Sequence, residues 1–205
     1  EVFGWIVVSE GVGDFGGLLY EATNTPDAVT HVPYEIAFGR GDTTFATPPA
    51  FFAAMQTFDG GDPSHLRYDT LTTTAATVWV EEETCSDAEL AHTTERVGIL
   101  AVQQGKAASQ KQFEVGVASA DLSNVNIAFS GKYNNPVVTV GIPTHNGDEE
   151  LVVRLISVTG TSLNLYADLP NHNNCGSDSH APENFNWMIV NEGQVGAMQA
   201  GTTTG

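Results

Sequence analysis

The sequence predicts an all-β protein built as two tandem antiparallel β-sandwich domains of about six strands each. Three observations predict it. Apolar and polar residues alternate with a period of two over several short segments, Gly, Asp, Asn and Pro clusters separate those segments, and one half of the chain repeats the other at a fixed spacing. No segment carries a helical apolar stripe with capping residues.

The alternating segments come first. Thr77-Val-Trp-Val-Glu81 and Ser162-Leu-Asn-Leu-Tyr-Ala167 read as half-buried strands, while Ala50 to Phe58 and Val137 to Ile142 read as more fully buried ones. Asp59-Gly-Gly-Asp-Pro63, Lys132-Tyr-Asn-Asn-Pro136 and Asn146-Gly-Asp148 have turn chemistry. Arg40-Gly41-Asp42, an adhesion-type tripeptide, sits among turn-forming glycines that account for it without a partner.

The repeat appears when Pro49 to Glu81 is written above Pro136 to Asp168, an ungapped offset of 87 residues. Identical pairs are Pro49/Pro136, Thr57/Thr144, Gly60/Gly147, Arg67/Arg154, Thr72/Thr159 and Thr74/Thr161. After a one-residue slip, His92-Thr-Thr-Glu95 lies over His180-Ala-Pro-Glu183, and both lead into an apolar strand. A partial third copy opens the chain: Glu1-Val-Phe-Gly-Trp-Ile-Val-Val matches the strands that begin at Glu95 and Glu183. The expected organisation is therefore a closing strand of a preceding or neighbouring unit at residues 1–11. A first repeat occupies 12–105 and a second 106–193, with Lys106 to Lys111 as linker. Residues 194–205, small and Thr-rich, read as a flexible tail or the start of a further repeat.

Composition narrows the function. Twenty-five acidic against 7 basic residues give a formal net charge of −18, which repels phosphate backbones and anionic lipid, so no nucleic-acid partner is expected. The same acidity favours solubility in high salt. No apolar run approaches the roughly 18 residues of a membrane span, so no membrane insertion is expected. Beginning at Glu1 without a leader, the chain reads as a processed or excised segment. Cys85 and Cys175 occupy nearly equivalent loops in the two repeats. A bridge between them fits an extracellular location, and closing a loop of about 90 residues would contribute about 4–5 kcal/mol.

Candidate chemistry is polar rather than catalytic. No nucleophile elbow, P-loop, His-Glu-x-x-His or Cys-x-x-Cys is present, and no catalytic residue is expected. Asp59, Asp62, Glu81 and Glu95 bring hard oxygens together in sequence as a candidate calcium site. Arg, Asp, Asn and His near aromatic residues suit sugar hydroxyls, which makes Asp59, Asp62, Arg67, His92, Asn146, Asp148, Arg154 and His180 the candidate carbohydrate contacts. The competing role for the His-x-x-Glu pairs is to anchor a loop to its strand, and for the two arginines to pair with an acid of their own repeat.

The strand Pro136 to Val140, the turn Thr144 to Gly147, Arg154 between Val153 and Leu155, and the late strand holding Trp187 resemble the H-type lectin family. Met55 to Pro63, Glu81 to Glu83 and His92 to Glu95 are similar to repeats of large microbial and algal surface proteins. The resemblance covers roughly 60 residues of each repeat, with Ile99 standing where the second repeat has Trp187. It implies a six-stranded sandwich, oligomeric assembly and binding of N-acetylgalactosamine-type sugars. The resulting expectation is a secreted, non-catalytic module whose partners are glycans or neighbouring copies of itself, as a homo-oligomer or within a longer array. The alternative is a structural subunit of an extracellular filament or sheath, in which repeats dock on one another and no sugar is bound.

Overall fold

Strand succeeds strand along the chain, because β-branched and aromatic residues alternate with polar ones and turn residues interrupt them every few positions. The computed structural model describes residues 2–84, 89–108, 113–169, 179–195 and 197–204. Among these, one 3₁₀ turn at Arg40–Asp42 is the sole helical element, and no helix is long and apolar enough to cross a membrane.

The first strand, β1 (Val2–Val8), belongs to neither of the two complete units. Unit one contains β2 (Gly11–Asp14), β3 (Leu19–Asn24), β4 (Tyr34–Ala37), β5 (Ala50–Met55), β6 (Ser64–Leu71), β7 (Ala75–Glu82) and β8 (Val97–Val102). They form a four-stranded antiparallel sheet β2-β3-β8-β5 and a three-stranded sheet β4-β7-β6. Unit two repeats this with β9 (Gly105–Lys106), β10 (Phe113–Ala120), β11 (Val125–Ala128), β12 (Pro136–Val140), β13 (Val152–Val158), β14 (Ser162–Asp168) and β15 (Glu183–Asn191). Its sheets are β9-β10-β15-β12 and β11-β14-β13. Each unit is thus a four-on-three sandwich, one strand larger than expected because a short edge strand, β2 or β9, is added.

Alternation decides which face is buried. Along β7 and β14 every second residue is withdrawn from solvent, so Ala76, Val78 and Val80 in one unit and Leu163, Leu165 and Ala167 in the other face inward. They meet Phe51, Val97 and Ile99 in unit one and Phe185, Trp187 and Ile189 in unit two. The turns into β7 and β14 are built alike. The Thr72 hydroxyl accepts the backbone N–H groups of Thr74 and Ala75 (3.2 and 3.0 Å), and Thr159 does the same for Thr161 and Ser162 (3.2 and 3.0 Å). This satisfies amides that a tight turn leaves unpaired.

A fifth sheet brings the first strand of the chain together with its last two. Gly193 and the residues after it, read as a flexible tail or the start of a further repeat, form β16 (Gly193–Val195) and β17 (Met198–Thr204), and β17 pairs antiparallel with β1 over its full length in the order β1-β17-β16. Its strands correspond to β2, β3 and β8 of unit one. The four-stranded sheets of the two units and this fifth sheet, together the three inner sheets, pack on one central core that joins Tyr20 and Phe52 of unit one, Phe113 and Met188 of unit two, and Met198 and Ala200 of β17. Of the linker residues, Lys106 lies in β9 and 109–111 lie outside the described residues.

Candidate functional site: the carboxylate clasps and the joint between units

Glu95 stands just before β8 and is fully buried. Its carboxylate accepts the Thr57 hydroxyl, the backbone N–H groups of Asp59 and Gly60 (2.7 and 3.1 Å) and His92 Nε2 (3.1 Å). Glu183, in the equivalent place, accepts the Thr144 hydroxyl and the N–H groups of Asn146 and Gly147 (2.7 and 3.0 Å). In both, the threonine oxygen accepts in turn from the residue after the glutamate, Arg96 or Asn184, at 2.8 Å. One buried carboxylate therefore ties the turn after β5 or β12 to the start of β8 or β15.

The histidines close these clasps from the outside. His92 Nδ1 meets Glu82, so its imidazole bridges two carboxylates. Burial would lower the His92 pKa, but the hydrogen bonds and charges of Glu82 and Glu95 outweigh it and raise the value. Burial would likewise raise Glu95, yet the Thr57 hydroxyl, the two backbone N–H groups and His92 bring its pKa down to about 2. His180 has Leu169 where His92 has Glu82, and its ring nitrogens meet the carbonyl oxygens of Ala181 (2.6 Å) and Glu149 (2.9 Å). The repeated glycines lie against these rings. A Cβ on Gly60 would stand 2.2 Å from His92 Cε1, and one on Gly147 2.8 Å from His180 Cε1.

The two arginines occupy the same register, Arg67 opposite Trp79 and Arg154 opposite Tyr166, but have different surroundings. Arg67 is fully buried at the joint, 3.3 Å from Glu81 of its own unit and 3.2 Å from Glu183 of the other. Burial lowers its pKa against the pull of Glu81, Glu183 and Glu150. Glu81 also meets His65 (2.8 Å) and His145 (3.3 Å). Burial acts to raise Glu81, while His65, Arg67 and His145 together hold it below the usual carboxylate range. Beside this cluster the Tyr68 N–H donates to the Pro143 carbonyl (3.2 Å), and Tyr68 and Thr144 form a parallel bridge across the units. Arg154 is exposed and pairs with Asp168 at 2.9 Å.

The structure therefore brings Arg67, Glu81 and Glu183 together, and separately His92 with Glu82 and Glu95. Four of the candidate carbohydrate residues, Asp59, Asp62, Asn146 and Asp148, have exposed positions on the two clasped loops. Arg67, His92 and His180 are buried in the contacts described. Of the candidate calcium ligands, Glu81 and Glu95 belong to different clusters and are engaged by other side chains. No group of three or more His, Cys, Asp or Glu among the described residues could hold a metal ion. Cys85 and Cys175 both lie outside the described residues. In the Arg40–Asp42 turn, the Gly39 and Arg40 N–H groups donate to buried Glu21 (2.8 and 3.1 Å), and Arg40 pairs with Glu10 (2.9 Å). Nothing in the sequence singles out His65, His145 or Tyr68. The identities Thr57/Thr144 and Gly60/Gly147 are the signal for the clasps, since neither residue type is needed for a strand.

No family model matches the chain, and no solved structure matches it. Among curated proteins it is 26% identical over 175 residues to Halomucin of Haloquadratum walsbyi (strain DSM 16790 / HBSQ001). That match covers 82% of this chain and 2% of Halomucin, so the chain is similar to one short stretch of a far longer protein.

Proposed function

We propose that the chain is a non-catalytic structural module of an extracellular surface layer, in which tandem sandwich units lock side by side. The observation that carries this reading is the burial of Arg67 between Glu81 and Glu183. The basic residue best suited to gripping an anionic or hydroxylated ligand is held inside the joint between units. The clasps support the same reading, because Glu95, Glu183 and His180 are directed at the protein's own backbone and His92 at two of its own carboxylates. A net charge of −18 keeps such a surface hydrated in salt, and the name Halomucin points in the same direction.

Glycan binding of the H-type-lectin kind is the second reading. It is favoured by one observation, the exposure of Asp59, Asp62, Asn146 and Asp148 on equivalent loops. A glycan array probed with and without calcium tests both. The structural reading expects no saturable binding in either condition. Binding that disappears in Asp59→Ala or Asp148→Ala would overturn it in favour of a carbohydrate-binding module.

A further inference from the structure

The three inner sheets are related by a cyclic pattern with one sector missing. β5 of unit one lies against unit two, with the Phe51 carbonyl 2.7 Å from a Cβ placed on Gly141. β12 of unit two lies against β1 and β17 as β5 lies against their equivalents β15 and β10, with the Val138 carbonyl 3.0 Å from a Cβ placed on Gly4. Phe51 and Val138 are equivalent residues of the repeat. Continuing the pattern, a third β5-like strand would pass beside β1 and lie against unit one. At that place the structure has a cleft of about 410 Å³, lined by Ile6, Val7, Val8, Asn24, Ala54 and Gly98. β1 is also the edge of its sheet, whereas its equivalents β8 and β15 are paired on both sides.

Burial shows the same gap from three directions. Phe3, Trp5 and Val7 are 51%, 37% and 60% exposed, while their equivalents Val97, Ile99 and Ala101, and Phe185, Trp187 and Ile189, are all buried under a three-stranded sheet. Tyr68 is 3% exposed at the joint, but Leu155, its equivalent, is 46% exposed with Ile156 beside it. His145 packs edge-on to Trp79 at 5.4 Å, whereas Phe58, its equivalent, is 76% exposed. Isolated surface apolar residues mean little, but Phe3, Trp5, Val7 and Leu155 lie at positions that the repeat buries elsewhere.

We infer that this face receives the body of one further repeat of the same kind. Its three-stranded sheet would cover Phe3, Trp5 and Val7, its β5-like strand would pair with β1 and fill the cleft, and its sides would meet Leu155 and Phe58. Three units then close a ring around the central core. The pairing already present supports this arrangement. Trp5 crosses Gly201 as Trp187 crosses Gly116, so β1 and β17 hold the register of a complete unit. The inference deepens the structural reading by naming the partner. The glycan array bears on that reading alone, whereas amide exchange in an extended chain bears on the docking face alone.

The test replaces residues 203–205 with a second copy of residues 25–94, which places a complete body between β17 and β1. A second variant carries a copy of residues 118–182. The expected result is a monomer in which amide exchange of Val2–Val8 slows at least tenfold relative to the 205-residue chain. Val7→Asp should abolish that protection while leaving the unfolding midpoint of the 205-residue chain unchanged. Unchanged exchange, protection that survives Val7→Asp, or failure of both extended chains to fold would overturn the inference. Dimerisation of the 205-residue chain that Val7→Asp reverses would overturn it in favour of a second copy as occupant.

Discussion

Arg67 of unit one and Glu183 of unit two meet at 3.2 Å, both withdrawn from solvent, while Glu183 also holds the turn at Asn146 and Gly147. One carboxylate thus couples the joint between the units to the clasp within one of them. Removing a single partner of a buried pair leaves an uncompensated charge, which costs about 3–5 kcal/mol. Arg67→Ala should lower the unfolding free energy by about that much, and the two units should then melt in separate transitions. Arg154→Ala, at the same register but exposed, should cost about 1 kcal/mol or less. Urea titration of both variants, combined with calorimetry, checks the contrast.

The glycines of the two clasps have a sharper steric requirement. A Cβ on Gly60 would meet the His92 ring at 2.2 Å, and this ring is fixed by two carboxylates. Gly147 is less constrained, at 2.8 Å from a ring with backbone partners. Gly60→Ala should therefore destabilise by about 1–3 kcal/mol, and Gly147→Ala by less. Midpoints of chemical unfolding give the order of the two, and a larger loss at Gly147 would contradict the geometry.

The two clasps also show how far the sequence can be read. Thr57, Gly60, His92 and Glu95 and their counterparts are visible as a repeated pattern because local geometry demands them in each unit. The alternation along β7 and β14 is visible for the same reason, since each strand covers its own core. The fate of Arg67 and Arg154 is not visible. The residue type and register are identical, and only the presence of a neighbouring unit separates burial from exposure. Nor do residues 198–204 read as a strand. Met198 and Ala200 are their only apolar side chains, and Gly201 supplies a space for an indole that comes from the opposite end of the chain.

The pH dependence follows from His92 and Glu95. The Glu95 pKa is depressed from 4.5 to about 2, so its contribution to stability is present above 4.5 and is lost as pH falls toward 2. The His92 pKa is raised above 6.5, so its contribution is complete below 6.5 and is lost as pH rises through the folded-state value. The clasp of unit one should therefore be strongest at roughly pH 5–6. In His92→Gln the alkaline limb should flatten while the acid limb persists. Glu95→Gln should remove the acid limb and shrink the alkaline one, because it takes away the acid and one of the two carboxylates that raise the histidine. Unfolding free energies at several pH values for the three proteins decide this.

The inner sheets carry a matched pair of residues that predicts a coupling. Trp187 faces Gly116 and Trp5 faces Gly201, and a Cβ on either glycine would stand 2.7 or 2.5 Å from the indole. In unit one the same two places hold Ile99 and Thr23, also directly opposed. A large ring is thus accompanied by a bare backbone across the strand, and a smaller aliphatic residue by a side chain that fills the space left. Ile99→Trp alone should clash with Thr23 and cost about 1–3 kcal/mol through overpacking. Thr23→Gly alone should also destabilise, by leaving a void above Ile99 and loosening β3. Combined, the changes recreate the pair that unit two already holds, so the double variant should be more stable than their summed effects predict. A coupling energy of about 1–2 kcal/mol from the double-mutant cycle would establish that the two positions act as one packing unit. Simple additivity would show that unit one tolerates either solution independently.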